Sequence, residues 1–286
     1  MNFQILKSYS KLNLFLTVGN LDKKKNLHNI ETYVSKISIF DNIKIKKIRK
    51  NKNIIKFSGF FSKNIKKNNN SITKSLILLK KHGFIKPEYF YDIRVNKKVP
   101  VFSGLGGGSS NAAEVVKYFT RGKKISKNNL NIFSKSLGSD FKLFFYSNCV
   151  YQKNLNVIQK QKQKNIFYFL VIFPYFKCSS KYVYSKFKKK MNTRKNLKFK
   201  YNSKKNLINI LKFKNNDLER IVKKKYPQIN KILYELKKIN SCEFARMTGS
   251  GSACFGLFLT KKSANIALKK IKKQFPKYWC VVGKTI

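Results

Sequence analysis

Acidic residues are what this 286-residue chain has least of: 11 Asp and Glu stand against 64 Lys and Arg, a formal net charge of +53. Arginine is nearly as scarce, since only Arg49, Arg94, Arg121, Arg194, Arg220 and Arg246 occur and the remaining 58 basic residues are lysine. Phosphate and base-edge readers favour the bidentate arginine fork, so its scarcity weakens the inference to nucleic acid that the net charge invites. Lysine is spread along the whole chain and is enriched together with Asn, Ile, Phe and Tyr, the residues of A- and T-rich codons. Biased base composition accounts for such a pattern. Histidine occurs twice, at His28 and His82, and the five cysteines form no C-x-x-C pair, which leaves a zinc site without ligands at the usual spacing. Scattered thiols, odd in number, fit the reduced cysteines of a cytoplasm. No apolar run approaches the roughly 18 to 20 residues that cross a bilayer. The opening MNFQILKSYSKLNLFL has no signal-peptide layout, so a soluble cytoplasmic protein is expected. What is plentiful is apolar: 42% hydrophobic and 14% aromatic residues exclude a disordered basic tail and require a packed core.

Periodicity divides the chain into elements. Leu12, Leu14 and Leu16 alternate with Asn13, Phe15 and Thr17 as in a strand, and Tyr33 to Phe40 and then Ile43 to Ile48 read as two more. A Lys/Asn-rich loop spans 64 to 70. Ser71 is expected to cap a helix that ends at Gly83, and Tyr91 to Val95 forms a strand. Helices are predicted to open at Ser109 and from Ser126 to Leu137, followed by a strand from Phe141 to Tyr146. The polar stretch 152 to 165 reads as a domain joint, giving domains 1–155 and 156–286. Ile166 to Phe173 is a buried strand. Ser185 to Asn206, rich in Lys and Asn, reads as a mobile surface insertion. Two helices broken by Pro227 lead into strand, glycine turn, strand, helix and strand at the end.

The densest chemistry lies at Pro100-Val101-Phe102-Ser103-Gly104-Leu105-Gly106-Gly107-Gly108-Ser109-Ser110. Its glycines admit positive φ and close backbone approach, and the helix that follows aims free amides and a positive dipole end at one point. An anion such as a triphosphate suits that arrangement. Gly283-Lys284-Thr285 imitates the end of a Walker loop, but Tyr278 stands where its first glycine belongs. The dinucleotide fingerprint fails at Ser109, which replaces its last glycine.

The segment Pro100 to Ser110 resembles the phosphate loop P-x-x-x-G-L-G-[GS]-[GS]-S-[ASG] of the GHMP kinases. Its version GLGGGSSNAA is similar to that of the branch acting on a cytidine-diphosphate derivative of methylerythritol. Ser10-Lys-Leu-Asn-Leu-Phe-Leu16 resembles the family's opening A-K-[IL]-N-L-x-L, and Met247-Thr-Gly-Ser-Gly-Ser252 its third motif. The three motifs keep the family's order over essentially the whole chain. The resemblance implies an α+β, two-domain GHMP kinase fold. An N-terminal ribosomal-protein-like β-α-β domain would precede a C-terminal domain of helices on an antiparallel sheet.

The implied activity is ATP-dependent phosphorylation of the 2-hydroxyl of that cytidine derivative in the non-mevalonate isoprenoid pathway, with Mg²⁺ assisting. The resemblance assigns catalysis to Lys11 and Asp140, the latter within Leu137-Gly-Ser-Asp, and an active-site turn to Gly249, Ser250, Gly251 and Ser252. Substrate-binding positions implied are Asn13, His28 and Tyr184, and either Ser109 or Ser110 would reach metal or phosphate. Two positions depart from the family pattern: Leu27 replaces an aromatic beside His28, and Lys142 replaces a proline after Asp140. Other readings remain open on the residues alone, a sister small-molecule kinase of the mevalonate or homoserine type, or a basic nucleic-acid-binding protein on a kinase-like fold.

Overall fold

The computed structural model describes residues 2–23, 27–63, 65–66, 68–123, 125–155, 157–161, 165–187 and 199–286. The chain forms two compact units that are not contiguous in sequence. The first comprises residues 1–11, 38–101 and 106–147, and the second residues 12–37, 102–105 and 148–286. Two long strands, β1 (Gln4–Asp22) and β2 (Leu27–Ile48), contribute to both.

In the first unit, β3 (Ile54–Ser58) runs parallel to β4 (Phe90–Asn96), joined through α1 (Ser71–Lys81), which is the right setting for a β-α-β crossover. β4 pairs antiparallel with the Asn42–Ile48 end of β2. The helices α1, α2 (Gly107–Phe119) and α3 (Lys127–Leu137) close over this sheet. Ile72, Leu76 and Leu79 recur at helical spacing and meet Ile43, Ile45, Ile93 and Val95 in one buried cluster with Val115 and Phe133. Burying each such side chain contributes roughly 1.5 to 3 kcal/mol against its exposed state.

In the second unit a four-stranded antiparallel sheet runs in the order β10-β7-β9-β8, from Trp279–Lys284, Tyr168–Phe173, Cys254–Phe258 and Phe244–Met247 respectively. One face, carrying Leu170, Ile172, Met247 and Phe258, is covered by α6 (Glu219–Lys225), α7 (Gln228–Lys237) and α8 (Lys261–Gln274) through Val222, Ile232, Leu236, Ala267 and Ile271. Its other strands are the Thr32–Ser35 part of β2, β5 (Cys149–Gln152) and β6 (Ile158–Gln161). The helices α4 (Ser180–Ser185) and α5 (Lys204–Phe213) complete it. All five cysteines are free.

Several elements differ from the sequence expectation. Tyr33 to Phe40 and Ile43 to Ile48 belong to a single strand, because no turn residue interrupts the pairing of β2. Asn70, not Ser71, caps α1: its Oδ1 accepts the amides of Ile72 and Thr73 at 3.0 and 2.9 Å. The helix expected to open at Ser109 starts two residues earlier, at Gly107. Phe141 to Phe145 is a 3₁₀ helix rather than a strand, since Phe141, Leu143 and Phe144 are all buried and no alternating face is left to solvent. Within the presumed joint at 152 to 165, β6 pairs with β5 as a hairpin arm.

Of the presumed surface insertion at 185 to 206, residues 188–198 lie outside the described residues. Phe199, however, is buried and stacks on Tyr151 with centroids 4.6 Å apart. Lysine-rich composition concealed that aromatic anchor, as it did the neighbouring Tyr201, which meets Tyr33. Gly283 and Lys284 lie in β10, paired with Phe169 and Tyr168, so the Walker-like triplet starts inside a strand. No described helix is long and apolar enough to cross a membrane.

Candidate functional site

The first unit brings together Lys11, Asp140 and residues 106–110. Gly106 has φ +71° and precedes α2 with no side-chain cap, so the first-turn amides of Gly107 to Ser109 are not spent on a cap of the helix's own. A Cβ at Gly106 would stand 3.1 Å from the Lys11 stem and 3.2 Å from Phe144. The positive φ favours glycine here, and the Lys11 stem and Phe144 ring would have to yield to a larger residue. Lys11 is carried by β1, its side chain 3% exposed, and its Nζ lies 3.1 Å from Asp140 Oδ2. Asp140, 29% exposed, stands between the Gly138 stop of α3 and the 3₁₀ helix. A buried lysine thus faces a carboxylate that keeps one edge open to solvent.

The two serines of the loop are unlike. Ser110 is fully buried, donates to the Tyr9 carbonyl at 2.7 Å and accepts from Ser8 Oγ at 2.7 Å, so its hydroxyl is spent within the protein. Ser109 remains half-buried and donates to the Leu137 carbonyl at a longer 3.2 Å. Gly138, at φ +111°, leaves room for it, since a Cβ there would fall 2.5 Å from Ser109 Oγ. Lys142 reaches away from Asp140 to the Asn131 side chain. The unit also contains a cavity of about 930 Å³ lined by Ile55, Phe57, Ser62, Ile65, Thr73 and Leu76, mixed in polarity, which the sequence did not reveal.

In the second unit, the turn Gly249 to Ser252 follows β8 and packs on residues 102–105. A Cβ at Gly104 would come 2.4 Å from the Thr248 carbonyl, and the Ala253 amide donates to the Ser103 carbonyl at 3.0 Å. Phe102 holds φ +56° and is 58% exposed. Asn216 donates from one amide group to the carbonyls of Met247 and Gly249, both at 2.8 Å. Asn13 donates its backbone N–H to Thr248 Oγ1 at 2.9 Å and its side-chain amide to Thr32 at 2.9 Å. Ser250 and Ser180 hydroxyls meet at 2.7 Å, and Ser252 donates to the Phe176 carbonyl.

His28 and Tyr184 stack with centroids 5.9 Å apart and an interplanar angle of 27°, and Phe187 meets the His28 ring edge-on at 5.7 Å. Leu27 is exposed and outside this ring cluster, while Asn26 lies outside the described residues. Asn216 and Phe187 escaped the sequence reading because neither stands in a glycine-rich or recognisable catalytic string.

A glycine-rich loop running into a helix start without a side-chain cap, a Lys/Asp pair beside it and an antiparallel C-terminal unit are features of a class of small-molecule kinases, and comparison with known proteins agrees. The model described as GHMP kinases N terminal domain matches residues 70–143, and that described as GHMP kinases C terminal matches 199–277. The chain belongs to the GHMP kinase family.

Within it, a 4-diphosphocytidyl-2-C-methyl-D-erythritol kinase of Pelagibacter ubique is 38% identical over 292 residues, covering 100% of both chains. A relative of the same name from Thermodesulfovibrio yellowstonii is 29% identical, covering 98% of this chain and 97% of its own. Among solved structures, a 4-(cytidine 5'-diphospho)-2C-methyl-D-erythritol kinase superposes with TM-score 0.72 at 19% identity, covering 99% of this chain and 100% of the other. Methanococcus jannaschii mevalonate kinase gives 0.70 at 16%, covering 99% and 98%. The two scores are close, so the fold is common to both activities.

Proposed function

We propose that the chain is an ATP-dependent kinase that phosphorylates the 2-hydroxyl of 4-diphosphocytidyl-2-C-methyl-D-erythritol, a step of non-mevalonate isoprenoid synthesis in the cytoplasm. The observation that carries the chemistry is the Lys11–Asp140 pair at 3.1 Å beside the loop. Transfer demands charge neutralisation on the phosphates, an aligned hydroxyl and an acceptor for its proton. Pro100 to Ser110 supplies the first, with the amides at the start of α2 facing the phosphates. The substrate hydroxyl oxygen attacks the γ-phosphorus, its proton passes to the Asp140 carboxylate, and the bond from the γ-phosphorus to the β-phosphate oxygen breaks to release ADP. Lys11 donates to the attacking oxygen and steadies the carboxylate.

Mg²⁺ fits as a companion of the nucleotide. Among the described residues no three His, Cys, Asp or Glu side chains gather to hold a metal by themselves. A cation already bound to phosphates needs only one or two protein ligands, which Ser109 and the open edge of Asp140 can offer. It would neutralise charge on the phosphates. The cytosine end is assigned to the rings of His28 and Tyr184, with Asn13 as a further polar contact; stacking tolerates either ring type. The turn at 249 to 252 is assigned to the activity by its likeness to the family's third motif.

The choice over mevalonate and homoserine kinases rests on the named relatives and the GLGGGSSNAA loop. Coupled ADP release is measured with this substrate and, in parallel, with mevalonate, phosphomevalonate and homoserine. Turnover with the cytidine derivative is expected. Turnover with one of the others alone moves the chain to a sister activity.

A further inference from the structure

We propose that Lys97 is a positioning residue for the phosphate loop, holding the first turn of α2 against the strand that carries Lys11. It acts through Asp41 and Asn111, and the inference rests on the kinase reading above. Lys97 and Asp41 have side chains 1% and 0% exposed and form an ion pair. Burial pushes the Lys97 amine down from its ordinary value, and the Asp41 carboxylate opposes that shift. A buried pair of this kind is weak as a source of stability, because desolvation offsets most of the attraction. Its distinctive property is directionality.

Every polar contact in the network leads towards the loop. Lys97 Nζ also donates to Asn111 Oδ1 at 2.9 Å. The other Asp41 oxygen accepts the amides of Lys98 and Val99 at 2.7 and 2.9 Å, the two residues leading into Pro100. Asn111 donates to Asp41 Oδ2 at 3.0 Å and to Ser8 Oγ at 2.8 Å. Ser8 in turn donates to Ser110, which donates to the Tyr9 carbonyl, each at 2.7 Å. The relay therefore ends two residues from Lys11.

A second, independent observation is steric. A Cβ at Gly107 would stand 3.0 Å from Val99 and 3.4 Å from Lys97 Nζ, so the start of α2 rests on this amine. The helix has no side-chain cap of its own to fix that start. Where its amides point is then decided by the Lys97 network. Misplacement of a reacting group by about 1 Å costs on the order of 100-fold in rate.

Three proteins decide the matter: wild type, the double variant Lys97→Met/Asp41→Asn, and Ser8→Ala. The double variant removes both buried charges together and so leaves neither unpaired. Ser8→Ala keeps the ion pair and cuts only the relay to Ser110. Thermal unfolding, calorimetric ATP affinity without acceptor, and turnover with the cytidine derivative are measured for each.

The double variant is expected to unfold near the wild-type temperature, yet to bind ATP about tenfold more weakly and turn over about 10- to 100-fold more slowly. KM for the acceptor should change less than about threefold, within the spread of a contact not touched. Ser8→Ala should lose roughly threefold in turnover. Wild-type ATP affinity and turnover in the folded double variant overturn the proposal, as does unchanged turnover in Ser8→Ala should the double variant fail to fold. Failure of the kinase reading looks different: wild type itself would show no turnover with the cytidine derivative, and the ATP-affinity arm still decides for Lys97.

Discussion

In the first unit, charge answers charge around the candidate site: Lys11 faces Asp140, and Lys97 faces Asp41. In the second, the turn at 247–252 is held by Asn216, Asn13, Thr248 and Ser180, whose side chains are neutral, with Glu219 accepting the Met247 amide at 3.0 Å. Under the proposed function, the difference follows from the work each region would do. A proton acceptor and its partner must be ionised and close, so one substitution leaves an unbalanced charge. A turn that only shapes a surface needs backbone carbonyls fixed in place, and amide donors suffice. Damage to the first should therefore appear in rate, and damage to the second in stability.

Asp140→Asn is the strongest way to break the comparison. Turnover should fall about 10²- to 10⁴-fold with ATP affinity retained, as read by ADP release and calorimetry. Unchanged turnover would remove Asp140 from the proposed mechanism.

Gly104→Ala and Gly106→Ala sharpen it within four residues of chain. At Gly104 the new Cβ meets the Thr248 carbonyl, and φ is +80°, so a loss of roughly 2 to 4 kcal/mol in chemical unfolding is expected. At Gly106 it meets the flexible Lys11 stem, which can give way. There the loss should be about 1 to 2 kcal/mol in stability, with a disproportionate drop in kcat as Lys11 moves. Equal kinetic damage from both glycines would dissolve the distinction.

Asn216→Ala, which strips the buried Met247 and Gly249 carbonyls of their donor, should cost about 1 to 3 kcal/mol in denaturant titration. The smallest effect is expected at Phe102, an exposed non-glycine at φ +56°. Phe102→Gly should raise stability by roughly 0.5 kcal/mol, because the relief of strain slightly exceeds the entropy glycine adds to the unfolded chain. A loss of stability there would show that the ring packs in a way its exposure conceals.

Much of this was legible without coordinates. The phosphate loop, the opening motif and the glycine turn are written in residues whose backbone demands are local. Of the elements carrying them, α2 starts two residues before the expected Ser109, while β1 contains the Leu12 to Thr17 alternation but runs past it at both ends. The reading failed where long-range burial decides. Phe141 to Phe145 alternates no more than a buried strand would, and it forms a 3₁₀ turn with Phe141 and Phe144 buried in the cluster that contains Phe133. Lys97 was one lysine among 58, distinguished by nothing until Asp41 and Asn111 closed around it.

Sequence by itself determined the class of protein and its glycine-rich loop, because glycine freedom and helix starts are properties of a few neighbouring residues. Only the tertiary structure decided which lysines are buried beside a carboxylate and which loop serine keeps its hydroxyl open. Those outcomes depend on contacts between residues more than a hundred positions apart, as from Ser8 to Ser110 and from Lys11 to Asp140, which no local pattern encodes.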